Sequence, residues 1–280
     1  MFNKKVRKFI YILFLGIIAI FLIWQFLKVP QKDDNWQEPF SLQAHAEFNE
    51  DFVTIKNIRN FRYGADEKES YINYYDQTYD LNKISKVWYI VEPFKDADYA
   101  AHTFLSFDFS DDKYITITIE ARKLKGQEYS IFLGMLKTYP LIYIVADERD
   151  SILMRANIRK NEVYLYPVKI EPEQARVLFT DMLLRMNDLA EKPKWYNTFT
   201  DNCTSAIAGH INKIWPGKLP KFLWQVWVTG YAEKLAFEKK LLDTELDITK
   251  AREKYYITDI SQKIGDVSNY SKIIRQFNNN

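Results

Sequence analysis

Cys203 is the only cysteine in the 280-residue chain, and its setting favours chemistry. A polar turn, Thr200-Asp201-Asn202, runs directly into residues 203–214, which read as a helix. A thiol in the first turn of a helix meets the positive end of the macrodipole and unpaired backbone N–H groups, and both stabilise a thiolate. The plain alternative is a small buried apolar side chain. A cysteine nucleophile needs an imidazole to take its proton, and the candidates are His45, His102 and His210. His210 shares the helix with Cys203 but lies about 10 Å further along its axis, so it reads as structural. His45 sits in a polar N-terminal stretch with nothing around it to tune it. His102 opens a strand, 103–109, beside Ala100-Ala101, and a strand end is a rigid platform for a general base.

An imidazole base needs its second nitrogen fixed by a partner. Glu120 ends the next strand, 114–120, on its polar face. If the two strands pair about the turn Ser110-Asp111-Asp112-Lys113, Phe109 falls near Tyr114 and His102 near Glu120 or Ala121. A slip of one residue would undo that pairing, and the alternative for Glu120 is an exposed strand-end carboxylate. Oxyanion support would come from the Cys203 N–H and the Asn202 side chain, although Asn202 also suits an N-cap. Asp147-Glu148-Arg149-Asp150 follows a strand, so Arg149 is a candidate for an anionic group or else part of a solvated charge run. No CxxC or HxxxH pair is present to suggest a metal site, and no glycine-rich phosphate loop is present, so neither metal nor cofactor is expected.

The elements that must position these residues read as follows. Residues 9–27 form an uncharged run of 19 residues, long enough to span a bilayer as a helix. Lys4, Lys5, Arg7 and Lys8 precede it and should stay cytoplasmic. The cleavage signature of a secretory signal is missing after it, so an uncleaved anchor is expected, with the remainder outside the cytoplasm. Residues 30–51 read as a linker, 52–247 as the catalytic domain and 248–280 as a polar tail. Residues 63–79, dense in Tyr and Asp, read as a loop. Strands are expected at 86–92, 103–109, 114–120, 141–146 and 163–166 from their aromatic and β-branched content. Helices are expected at 171–190, with Pro172 in the first turn, at 203–214 and at 232–242. Strands followed by helices argue for α+β, with an antiparallel sheet packed on helices behind one transmembrane helix. A net charge of +2 does not point to nucleic acid.

Several blocks together carry a resemblance. They are Ala101-His102-Thr103-Phe104-Leu105-Ser106-Phe107, Ile119-Glu120-Ala121-Arg122-Lys123, residues 141–150, Val163-Tyr164-Leu165-Tyr166-Pro167 and Tyr196-Asn197-Thr198-Phe199-Thr200-Asp201-Asn202-Cys203-Thr204. In this order they resemble the Lnb N-terminal periplasmic domain family, which is associated with bacterial lipoprotein N-acylation. That family is in turn similar to permuted papain-like enzymes of the NlpC and lecithin:retinol acyltransferase kind, where a strand histidine precedes a helix-start cysteine. The resemblance implies a permuted papain-like fold, catalytic roles for Cys203 and His102 and, less directly, Glu120, and a bacterial inner-membrane protein with a periplasmic domain. Members of the family carry a C-terminal membrane region, whereas 248–280 reads as a polar tail.

The expected activity is thiol-dependent acyl transfer from a phospholipid or lipoprotein to an amine, with a lipoprotein N-terminus as the natural acceptor. A papain-like amidase, peptidase or lipid hydrolase would use the same dyad with water. A periplasmic binding protein with an inert Cys203 is the third reading. The aromatic run Phe222, Trp224 and Trp227 would serve as an interfacial surface or as core.

Overall fold

The computed structural model of the chain describes residues 4–30, 35–95, 97–220 and 223–277. Phe222, part of the expected linker (31–34) and residues 278–280 lie outside them. The first helix, α1 (Lys4–Leu27), is the one described helix long and apolar enough to cross a membrane, and none of its residues is buried.

The strands are β1 (His45–Asn49), β2 (Phe52–Arg59), β3 (Arg62–Tyr63), β4 (Glu69–Tyr71), β5 (Tyr74–Asp80), β6 (Ile84–Phe94), β7 (Ala97–Phe109), β8 (Lys113–Ala121), β9 (Leu141–Ala146) and β10 (Tyr164–Pro167). Among the described residues eight of them make one sheet in the order β1-β2-β9-β8-β7-β6-β10, with β5 also on β2. Pairing is antiparallel except between β2 and β9. The central strands are covered on both faces. Ile115, Thr116, Ile117 and Thr118 are all buried, so the clean Ile/Thr alternation of β8 marks two different packed environments rather than an inside and an outside.

After the sheet's first strands come α2 (Ile131–Gly134), α3 (Glu148–Leu153), α4 (Pro172–Glu191), α5 (Cys203–Ile214), α6 (Trp224–Trp227), α7 (Ala232–Glu238), α8 (Ile248–Tyr255), α9 (Thr258–Ile264) and α10 (Tyr270–Ile273). Helix α4 starts with Pro172 and a reciprocal Glu171/Gln174 capping box, which satisfies two orphan N–H groups. Its stripe of Leu178, Phe179, Met182, Leu183 and Met186 is fully buried in the large core that it shares with α5 and one sheet face. On the same helix, Asn187 presents its side-chain amide to edge strand β1. Its Nδ2 donates to the Ala46 carbonyl at 2.7 Å and its Oδ1 accepts from the Ala46 N–H at 2.9 Å, covering backbone groups that would otherwise be open to another strand. The opposite sheet face packs Trp88, Phe104 and Leu165 on Ile152, Ile257, Tyr270 and Ile274.

The chain is thus a mixed α+β fold with a sheet, helices and one N-terminal apolar helix. Three segments differ from the sequence-based expectation. Residues 63–79, read as a loop, contain β4 and most of β5. The expected linker contributes buried Trp36 and Phe40 and the strand β1. The expected tail folds as α8, α9 and α10, because its few apolar side chains are spaced to reach the sheet and Arg275 is pinned inside. Arg275 Nη1 and Nη2 donate to the two Glu148 oxygens at 2.8 and 2.6 Å.

Candidate active site

The β7–β8 ladder runs from Phe109↔Lys113 to Leu105↔Ile117 and ends there, although both strands continue. Towards this end the two strands part. The opening is filled from β7 by His102, from β8 by Thr118 and Glu120, and from α5 by the Cys203 thiol. The turn that sets this register is Ser110-Asp111-Asp112, with Asp112 at φ 62°, the left-handed residue that closes a three-residue hairpin loop.

Hydrogen-bond direction fixes the imidazole. The Thr118 hydroxyl donates to Glu120 Oε1 at 3.2 Å. Its contact with His102 Nε2, at 2.7 Å, must therefore be one in which Thr118 accepts. Nε2 carries the proton, and Nδ1 is left as the basic nitrogen, available to the thiol. Glu120 also lies directly 3.7 Å from Nε2. The ring stacks on Phe104 with centroids 5.5 Å apart, which fixes its plane.

Cys203 is the first residue of α5 and only 4% exposed. Burial pushes its pKa up, but the hydrogen bond and charge of His102, with further hydrogen bonds from the backbone and hydroxyl of Thr103, outweigh it and bring the thiol down to about 7. A thiol with its pKa near neutral has the thiolate fraction that a nucleophile would need. Burial also pushes Glu120 up, and the neighbouring His102 imidazole together with the guanidinium charges of Arg155, Arg59 and Arg159 overcomes that, holding its carboxyl down to about 2. It remains an anion facing the imidazole.

Behind these residues stands a buried charge network that sequence reasoning missed. Arg155, 2% exposed, donates from Nε to Glu92 Oε2 at 2.8 Å and from Nη2 to Glu120 Oε1 at 3.1 Å. Glu92 is the β6 neighbour of His102 across the ladder and also accepts from Asn161 Nδ2 at 2.6 Å. Arg155 lies just past α3, in a widened helical turn over Met154–Ile158. Such π-type turns often occur where function constrains the backbone. The available signal was Glu92, a lone carboxylate ending an apolar strand like Glu120.

Asn202 is fully buried and caps α5. Its Oδ1 accepts from the Ser205 N–H at 2.8 Å and its Nδ2 donates to the Thr198 carbonyl at 2.8 Å. Its amide is committed to the loop before Cys203, so it supports the site as a cap rather than as an oxyanion donor. The Cys203 N–H, as the first in the helix, has no intrahelical acceptor. Arg149 is not at this site. It binds Asp147 at 3.1 Å and lines a separate cleft with Tyr75 and Ser268; the charge run folded into caps and buried pairs, including Arg59 with Asp150 at 2.9 Å. His210 is buried between Tyr143 and Asp181, at 2.8 and 2.6 Å. His45 is exposed on β1. Trp224 is half exposed, while Trp227 reaches the cleft.

Cys203, His102 and Glu120 lie in a cleft of about 530 Å³ whose walls include Phe94, Ile131, Phe199, Lys123 and Arg159. Tyr196 also lines it. Burial and the nearby Cys203 and Tyr129 keep its phenol protonated, well above the usual range. A buried thiol, an imidazole and an anchored carboxylate thus meet at one end of the sheet of an α+β fold. Residues 70–230 match the family model described as the Lnb N-terminal periplasmic domain. The chain belongs to that family, and the match together with α1 fits a single-pass membrane protein with a periplasmic domain. No curated protein and no solved structure gives a significant match to the chain.

Proposed function

We propose that the protein is a cysteine-dependent acyltransferase of the bacterial inner membrane, acting from the periplasmic side on lipid-borne acyl groups. The observation that carries the reading is the Cys203 thiol, held near pKa 7 beside His102 in an open cleft. In this reading the thiol proton passes to His102 Nδ1, and Cys203 Sγ attacks the ester carbonyl of a phospholipid or lipoprotein. The oxyanion is met by the Cys203 N–H, with the protonated Tyr196 hydroxyl as a second donor. Collapse breaks the ester C–O bond, and the imidazolium returns its proton to the leaving alkoxide. The product is a thioester on Cys203. An amine then attacks the thioester, its proton goes to His102, and the thiolate leaves. The cleft suits such a donor, since Phe94, Ile131 and Phe199 offer apolar surface while Lys123 and Arg159 offer charge for a phosphodiester. A cysteine at a helix start facing a strand histidine is also the arrangement of a permuted papain-like domain, and that is the fold reading we favour.

Intact mass spectrometry of the full chain in phospholipid vesicles tests the proposal. A fatty-acyl adduct on Cys203 is expected, absent in Cys203→Ser and strongly reduced in His102→Ala. Release of free fatty acid without any amide product would make the protein a hydrolase instead. No adduct with any phospholipid or diacylated lipopeptide would sink the acyl-transfer reading.

A further inference from the structure

The connection from β8 to β9, residues 122–140, carries an apolar projection. In α2 and beside it, Ile131 is 42% exposed, Phe132 63%, Leu133 40% and Phe199 41%. These side chains form one patch, because the loop that delivers Cys203 is tied to α2. The Thr198 hydroxyl donates to the Ile131 carbonyl at 2.9 Å, and the Thr198 N–H donates to the Gly134 carbonyl at 3.3 Å. The approach is so close that a Cβ on Gly134 would lie 2.2 Å from Thr198 Oγ1. Ile131 and Phe199 are at once part of this patch and part of the cleft wall.

The end of α1 docks against the same connection. The Lys28 ammonium donates to the Lys137 carbonyl at 2.7 Å, Lys137 Nζ donates to the Phe26 carbonyl at 3.3 Å, and Trp195 Nε1 donates to the Lys28 carbonyl at 2.9 Å. Lys28 also lies over the rings of Trp24 and Trp195, 4.9 and 5.3 Å from their centroids. Two lysines and two tryptophans at the end of an apolar helix are the side chains that settle at a membrane–water boundary. This boundary falls at the end of the sheet where the cleft opens. The β7–β8 turn is at the other end, a strand length of about 30 Å away.

We infer that the domain rests on the outer leaflet of the membrane that α1 crosses, with Phe132 and Leu133 seated among the lipid headgroups and the mouth of the Cys203 cleft turned to the bilayer. The occupant is lipid rather than a protein partner because the patch continues directly from α1 and is flanked by the cations Lys28 and Lys137, which match anionic headgroups. The orientation holds whether or not Cys203 forms an acyl-enzyme. It also gives the structure a reason to strap α2 to the catalytic loop, since lipid contact at Phe132 is then mechanically continuous with the turn before Cys203.

The test uses the full chain in vesicles of phosphatidylethanolamine and phosphatidylglycerol. In a Cys203→Ser background, single cysteines are placed by Phe132→Cys, Leu133→Cys or, as a distant control, Ser110→Cys, and each is labelled with an environment-sensitive fluorophore. Labels at 132 and 133 should emit at shorter wavelength and lose about half their intensity to a nitroxide placed shallowly in the acyl chains, as expected for groups roughly 5–10 Å below the headgroups. The label at 110 should keep its intensity. Labels at 132 and 133 as water-exposed as the one at 110 would overturn the inference. So would labels shielded from water but untouched by lipid-borne quenchers, together with chain-to-chain crosslinking through position 132, which would assign the patch to a second copy.

Discussion

His102 and Glu120 face each other across the parted end of β7 and β8, with Nε2 3.7 Å from Oε1 and the Thr118 hydroxyl bonded to both. Thr118 acts as a positioning residue, because it decides which imidazole nitrogen keeps the proton. Cys203 alkylation by iodoacetamide should therefore rise with pH through about 7, where a free thiol would rise nearer 8.5. His102→Ala should return the profile to that higher range. Thr118→Val should move it the same way while Thr118→Ser restores it. A His102→Ala profile still centred near 7 would show that the imidazole does not set the thiol.

Glu120 also makes stability depend on acid. Its folded pKa, about 2, lies below its ordinary value of 4.5. An acid whose pKa is depressed on folding binds its proton more readily when unfolded. Its contribution is thus fully present above pH 4.5 and drains as the pH falls towards 2. Melting temperature plotted against pH should fall across that window, and Glu120→Gln should flatten the fall. An unchanged slope would remove Glu120 from the ion network.

Arg155, its side chain 3% exposed, joins the buried carboxylate of Glu92 to that of Glu120 at the floor of the cleft. Replacing it by Met removes the guanidinium that Glu92 and Glu120 share and leaves Glu92 with the more distant Arg159 at 3.9 Å, and breaking the buried Arg155–Glu92 pair in this way costs roughly 3–5 kcal/mol. Denaturant unfolding of Arg155→Met should show a loss of that order. Adding Glu92→Gln should recover part of it, since the double variant has one buried charge fewer. A loss below about 1 kcal/mol, the range of surface ion pairs, would mean that the network is solvated.

The contrast between these residues shows what a sequence can carry. The meeting of His102 and Glu120 follows from strand periodicity and a turn. The predicted pairing of Phe109 was one residue off, since its partner is Lys113, yet the same register extended outward still carries His102 to Glu120. Helix α5 begins and ends where its pattern predicts, because its polar turn and cap are local signals. Arg155 left no such trace. An arginine in a short helical segment has the composition of a surface residue, and only the packing of α3 on β8 puts it inside. Arg149 misled for the opposite reason, as a charge run at a strand end resembles a site until its members are seen as caps and ion pairs. The last thirty or so residues misled through composition, because Tyr270, Ile274 and Arg275 are few among many charges and their burial depends on the sheet face they meet.

His210 offers a control. It joins α5 to α4 through Asp181 and to β9 through Tyr143, and it touches nothing in the cleft. His210→Ala should lower stability by about 1–3 kcal/mol, the penalty of leaving buried polar partners unpaired, while the pH profile of Cys203 alkylation stays in place. A shifted profile would mean that the long axis of α5 transmits strain to its first turn.

Asn202 separates the role of a cap from that of an oxyanion donor. Asn202→Asp keeps an oxygen for the Ser205 N–H, so the helix start is preserved, but it puts an acceptor where Nδ2 now donates to the Thr198 carbonyl. It also adds a negative charge one residue from the thiol, which disfavours the thiolate. The expected result is a Cys203 alkylation profile moved to higher pH, with faster proteolysis in the loop before α5. Asn202→Ala removes the cap as well and should cost a further 0.5–2 kcal/mol or so, with a smaller effect on the thiol because no charge is added. If instead Asn202→Ala abolished acylation while leaving both loop and thiol profile intact, the side-chain amide would have to act on the substrate, and its bonds to Thr198 and Ser205 would have to open during the reaction.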